Sequence, residues 1–190
     1  MNRILIMGPP GAGKGTQAMN VAGHFGIPAI STGDIFRANV AEGTPLGQVA
    51  RRYLDAGEYV PDDVTNEMLR ERLAHGDCWR GFLLDGYPRT LDQVAMLDKI
   101  LAESDVAIDA VLELAVDREE LVRRLVERAR VERRSDDVEA VIRRRQQVYA
   151  EETAPLLAEY AARGLLVTVD GTGSVHKVAA RIFEGLGIRI

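Results

Sequence analysis

The sequence predicts an α/β fold: a five-stranded parallel sheet flanked by helices, with one helical insert and one short polar lid. Three observations predict it. Five short apolar runs lack the polar alternation of a half-exposed strand, as expected for parallel strands covered on both faces. Helical patterns separate most of these runs, the βαβ signature. A cluster of Gly, Ser, Asp or Arg follows each run, which places the chemistry at one edge of the sheet.

The strands are read at RILIM (3–7), around IPAI (27–30), at GFLLD (81–85), AVLEL (110–114) and LLVTV (165–169). Helices are expected over 15–25, 65–75, 91–104, 119 to about 133, 138–163 and 175–184. Residues 31–60 break the alternation: two short helical patterns and the turn DAGEY read as an inserted flap. Residues from about 126 to 137, ending in RRSDD, read as a short polar lid between two helices. With no repeat, low-complexity tract or linker rich in Pro, Gly and Ser, residues 1–190 read as a single domain carrying these two additions.

Hydrophobic residues make up 46% and charged residues 28% of the 190 positions, ordinary values for a globular chain. The net charge of −5 disfavours a general nucleic-acid-binding role. The N-terminal apolar run is too short for a signal-peptide core or a membrane span, so a cytoplasmic protein without membrane attachment is expected. One cysteine, Cys78, permits neither an internal disulfide nor a cysteine-based zinc site, and no activating partner is visible beside it. It reads as an inert, partly buried thiol. His24, His75 and His176 fall outside every motif and read as surface residues.

Residues 8–17, GPPGAGKGTQ, carry the chemistry of the first edge loop. Gly8, Gly11 and Gly13 let the backbone curl so that successive N–H groups face phosphate oxygens, and the following helix adds its positive end. Lys14 would reach the outer phosphates as a mobile point charge. The loop therefore reads as a P-loop of the NTPase type, with Gly11, Ala12, Gly13, Lys14, Gly15 and Thr16 around the phosphates. Its hydroxyl comes one position late, at Thr16, because Gly15 holds the usual place. Mg²⁺ would then rely on Thr16, phosphate oxygens and water. Asp85 is either an outer-shell partner of that metal or a cap for the next turn.

Taken together, GPPGAGKGTQ, STGDIFR and DGYPRT resemble the nucleoside monophosphate kinases, the adenylate kinases in particular, over nearly the whole chain. The displaced threonine is part of that resemblance, since the family loop reads GKGT. The resemblance implies reversible transfer of a phosphoryl group from ATP to AMP, giving two ADP with Mg²⁺. It assigns Thr32, Arg37, Glu58, Tyr59, Val60, Gly86, Tyr87, Pro88, Arg89 and Gln93 to the AMP site. Thr32 would lie by the base, Arg37 would hold the acceptor phosphate, and Glu58 to Val60 would act through their backbone. A Gln93 amide donates and accepts, which suits adenine.

Ten of the 21 arginines lie between Arg118 and Arg145, a basic cluster in an acidic chain. The resemblance places Arg124 by the ATP base and Arg128 on its phosphates. Arg134 and Arg145 would bridge the two nucleotides, and Gly173 would meet the ATP base through its main chain. Lys14, Arg89, Arg128, Arg134 and Arg145 form the implied catalytic set. Arg123, Arg133, Arg143 and Arg144 read as solvated helix faces. Phosphoryl transfer is mostly positioning and charge stabilisation, which explains many cations and no required general base.

Many bacterial relatives carry a lid of roughly three dozen residues, some with four zinc-binding cysteines; here the interval is about a dozen and lacks cysteine. A short-lid form without structural zinc is implied, with Arg134, Asp136 and Asp137 kept. A UMP/CMP kinase, another small-molecule P-loop kinase and a non-catalytic nucleotide-sensing module stay open as alternatives. No heptad seam is visible, so a monomer is expected.

Overall fold

The computed structural model describes residues 3–132 and 138–188. In chain order they form β1 (Arg3–Met7), α1 (Lys14–Phe25), β2 (Ala29–Ser31), α2 (Thr32–Glu42), α3 (Pro45–Ala56) and α4 (Asp62–Leu73). Then follow β3 (Phe82–Asp85), α5 (Leu91–Ala102), β4 (Ala110–Ala115), α6 (Arg118–Glu132), α7 (Glu139–Val148), α8 (Pro155–Ala162), β5 (Leu166–Asp170) and α9 (Val175–Gly185). The five strands lie side by side in the order β2-β3-β1-β4-β5, and every pairing is parallel.

The strands lack alternation because both faces are buried. In β1, Ile4 and Ile6 enter a core shared with Val21 of α1 and Ile182 of α9. Leu5 and Met7 point the other way, into a core with Leu69 of α4, Leu97 of α5 and Leu156 of α8. That is the period of two expected of a pleated strand, with apolar partners on each side. A third, small cluster of Phe36, Ala50, Val60 and Met68 lies around α2 and α3.

The strand order reverses at β1, which has β3 on one side and β4 on the other. Open parallel sheets bind ligands in the crevice at such a switch point, beyond the carboxyl ends of the strands. The loop after β1 emerges there, flanked by Asp85 at the end of β3, and Ser31 ends β2 one strand further out.

Several predicted boundaries moved, α4 among them (Asp62–Leu73 for 65–75), and two of the shifts have a clear backbone cause. The second strand is Ala29–Ser31 and not 27–30, because Ile27 N–H bonds back to Ala22 O at 3.0 Å and so closes α1. The ladder begins at the Pro28 carbonyl, which accepts Leu83 N–H at 2.9 Å. The helix expected over 138–163 is two helices, α7 and α8, joined by a π-helical turn (Tyr149–Thr153). Pro155 lacks the N–H that an uninterrupted helix would use at that point.

Cys78 is buried, and burial pushes its thiol up to about 11, as expected of an unreactive cysteine. No helix among the described residues is long and apolar enough to cross a membrane.

Candidate active site

The loop between β1 and α1 turns on Gly8, Gly11 and Gly13, which all take positive φ. At Gly11, φ is +90° and an added Cβ would stand 2.9 Å from Leu125 Cγ of α6. The cap residue of α1 is Gly13, in the left-handed region, and no side chain caps the helix. Its first-turn N–H groups are thus left for an external anion, aided by the helix dipole.

Lys14 folds back over this loop. Its Nζ donates to Gly8 O at 2.7 Å and to Pro9 O at 3.1 Å. Desolvation is the main cause that lowers its ammonium from the ordinary 10.5 to about 8; Asp85 opposes the shift, and Arg89, Arg145 and Arg128 add to it. Four cations therefore share one neighbourhood with one carboxylate. Asp85 is shifted upward, chiefly by burial, with Lys14 and Arg89 pulling it back.

Two adjoining cavities meet here. The larger, about 930 Å³, is lined by the loop from Pro10 to Thr16, apart from Ala12, and by Ser31, Asp34, Asp85, Arg123, Arg124 and Arg128. The smaller is lined by Glu58, Tyr59, Tyr87, Pro88, Tyr149 and Thr153. The wall common to both includes Lys14, Arg37, Gly86, Arg89 and Arg145. So the second and third motifs converge on the first, and Arg128 and Arg145 arrive from α6 and α7. Arg134 lies outside the described residues, as do Asp136 and Asp137.

Local structure explains how each arginine is presented. Ser31 caps α2 by accepting Asp34 N–H at 3.2 Å, and Arg37, one turn on, pairs with Asp34. Thr90 caps α5 by accepting Gln93 N–H at 3.2 Å, which sets the start of the helix after Arg89. Arg89 Nε donates to Gly86 O at 2.7 Å, and its guanidinium stands 4.7 Å from the centre of the Tyr59 ring. Gly86 has φ +83°, and an added Cβ would lie 2.8 Å from both Arg89 Nη2 and Thr32 Oγ1. Gln146 of α7 donates to Pro10 O at 2.8 Å, which seats the helix carrying Arg145 on the loop.

Arg124 borders the larger cavity and also staples two loops together. Its Nη1 donates to Ala12 O at 3.2 Å, its Nη2 to Gly171 O at 2.9 Å, and its Nε to Glu120 at 2.6 Å. It thereby joins the first loop to the turn after β5, where Gly173 takes φ +104°. Gly173 itself lines neither cavity.

Thr32 and Gln93 are placed behind the cavity wall and not on it. Each is 1% exposed. Thr32 Oγ1 donates to Gly86 O at 2.9 Å. Gln93 Oε1 accepts Arg89 N–H at 2.8 Å, while its Nε2 donates to Asp62 at 2.6 Å. Asp62 also accepts Thr90 Oγ1–H at 2.6 Å. Val60 is buried, and its carbonyl accepts the Thr65 hydroxyl at 3.3 Å.

Sequence reasoning passed over several residues of this framework. Asp62 fixes Gln93, Glu120 fixes Arg124, and Thr153 bonds the Arg89 carbonyl at 2.9 Å. The available signal for Thr153 was a polar residue two before a proline inside an apolar helical pattern. Arg144 was expected on a solvated face; it instead pairs with Glu58 at 2.7 Å, tying α7 to the turn after α3. Arg123 and Arg143 do pair within their own helices, with Glu120 and Glu139.

The adenylate kinase family model matches residues 6–165. Relatives named adenylate kinase include one from Nocardioides sp., 61% identical over 186 residues that cover 98% of this chain and 97% of the relative. Another, from Kocuria rhizophila, is 57% identical over 98% of this chain and 99% of its own. A third, from Thermobifida fusca, is 54% identical over the same shares. With a P-loop, two cavities meeting at a shared cationic wall and likeness along almost its entire length, the chain belongs to the adenylate kinase family.

Proposed function

We propose that this protein transfers a phosphoryl group reversibly between ATP and AMP, giving two ADP, and so balances adenine nucleotides in the cytoplasm. The observation that carries this reading is the shared wall: Lys14, Arg37, Arg89 and Arg145 border both cavities. A single-nucleotide switch has no use for a second compartment walled by the same cations. In this reading ATP occupies the larger cavity, with its phosphates on Gly11 to Thr16 and Lys14, and Arg128 beside them. AMP occupies the smaller cavity under the 31–60 insert, its phosphate between Arg37, Arg89 and Arg145. Arg134 joins them from the lid, about 126–137, when the lid closes.

The roles follow from charge. The attacking atom is a phosphate oxygen, already anionic, so no side chain need remove a proton. Negative charge spreads over the transferred group's oxygens, and fixed cations stabilise it without reorganising. Closure of insert and lid would exclude water, the competing acceptor.

Mg²⁺ fits the donors present: the Thr16 hydroxyl and the Asp85 carboxylate both border the larger cavity, and Gly15 leaves the approach to Asp85 open, an added Cβ being 3.7 Å from its Oδ2. The ion would be carried by the nucleotide, neutralising phosphate charge while keeping several waters. Among the described residues no group of three or more His, Cys, Asp or Glu could hold a metal ion by itself. Thr32 and Gln93 support adenine as the acceptor base in this reading. Their motif positions carry that reading; the two side chains stand behind the wall, Gln93 bonded to Arg89 and Asp62 and Thr32 bonded to Gly86 O, so they act on the acceptor through the residues they hold.

A screen of nucleoside monophosphates with ATP and Mg²⁺ tests the assignment. ADP formation should depend on AMP, with UMP, CMP and water at least about 100-fold poorer as acceptors, the scale of discrimination of a site with a hydrogen-bonding base reader. Equal use of UMP or CMP would overturn the acceptor.

A further inference from the structure

Thr153 is 5% exposed and lines the smaller cavity beside Arg89 and Tyr59. Its hydroxyl has one proton. Oγ1 lies 2.9 Å from Arg89 O, and a carbonyl only accepts, so the proton goes there. The second contact, 2.8 Å to Tyr59 Oη, must then run from the tyrosine. The relay has one polarity: Tyr59 O–H to Thr153 O–H to the Arg89 carbonyl.

Backbone geometry puts the hydroxyl at that point. Residues Tyr149–Thr153 form the π-helical turn, with Ala154 N–H reaching back to Tyr149 O at 2.9 Å. One extra residue per turn rotates Thr153 relative to an uninterrupted continuation of α7. The same Tyr59 packs its ring against the Arg89 guanidinium, at 4.7 Å. Arg89 is thus held at four places: its carbonyl by Thr153, its N–H by Gln93, its Nε by Gly86 and its face by Tyr59. Among the described residues no hydrogen bond or ion pair occupies its Nη atoms.

We propose that Thr153 is a positioning residue for Arg89. Through this relay it locks the main chain of Arg89 to the turn between α3 and α4, so the arginine and the insert keep one relative geometry. The proposal rests on the assignment of Arg89 to the transferred phosphoryl group. Pre-setting a charged fork removes an ordering step from the reaction, which acts on turnover and on the acceptor but not on ATP.

The test compares T153V, T153S, Y59F and the T153V/Y59F double variant in the ATP–AMP assay, with denaturation midpoints measured alongside. T153V keeps the shape and loses both relay bonds; kcat/KM for AMP should fall about tenfold while KM for ATP stays within about twofold. T153S restores the hydroxyl and should recover to within about threefold of the wild type. Y59F keeps the ring, and adding it to T153V should cost nothing further, because one chain of bonds is already broken. Wild-type rates in T153V, equal losses in T153S and T153V, or additive losses in the double variant would each overturn the relay. Should T153V fail to fold, Y59F alone decides: about a threefold loss for AMP supports the relay and none refutes it. A wild-type enzyme that makes no ADP from ATP and AMP would refute the functional reading instead, so the two failures are distinguishable.

Discussion

Replacing Arg89 by alanine lowers turnover by about 10²–10³-fold, the loss expected when one fixed donor to the transition state is removed. The fold should survive, since the side chain is half-buried at the cavity wall and the core clusters do not contain it. KM for ATP should change far less than kcat, because Arg89 sits at the junction of the cavities and not within the P-loop. A second readout follows from electrostatics. Arg89 is one of the charges that lower the ammonium pKa of Lys14, so R89A should move the Lys14 titration upward. Turnover within about threefold of the wild type would take Arg89 off the catalytic list.

Lys14→Met produces a loss of similar size, about 10²–10³-fold in turnover, and also abolishes a pH dependence that the wild type should show. Lys14 has its ammonium lowered from 10.5 to about 8 in the nucleotide-free protein. A bound polyphosphate favours the charged form and raises that value again. Affinity for ATP should therefore fall as pH rises through about 8, by up to about tenfold per unit, as the free protein loses the proton that binding requires.

The same shift sets the sign for stability. Between about 8 and 10.5 the unfolded chain binds more protons at this residue than the folded one, so the free protein gains stability with rising pH across that window. The cost of keeping the buried ammonium charged is fully present below about 8. Calorimetric titration of ATP from pH 7 to 9.5 would show both the slope and proton uptake in the wild type, and neither in K14M. A flat wild-type profile would contradict the enclosed position of Lys14.

Much of this site was legible because its parts are local. A glycine loop after an apolar run, a serine cap before Asp34, and Gly86 before an arginine are each written within a few residues. The strands were legible for a similar reason, since doubly buried strands are continuous apolar runs. Strand order was not, because periodicity says what each run buries and not which run lies next to it. Boundary shifts at Ile27 and around Thr153 came from backbone hydrogen bonds that close a helix or widen it. The supporting residues were the least legible. Asp62, Thr153 and the Glu58–Arg144 pair act across 31, 64 and 86 positions of sequence, and nothing local marks them. Thr32 and Gln93 show the reverse case: both fall at motif positions, and both side chains prove to hold the wall of the cavity from behind.

On this reading one chain holds two nucleotides, with their phosphates meeting at Lys14, Arg37, Arg89 and Arg145, which border both cavities. Titration with two adenosines joined through five phosphates tests it most directly. One molecule should bind per chain, at least about 100-fold more tightly than ATP, because joining two ligands makes the second contact intramolecular. Affinity no better than that of ATP, or two molecules bound per chain, would contradict it.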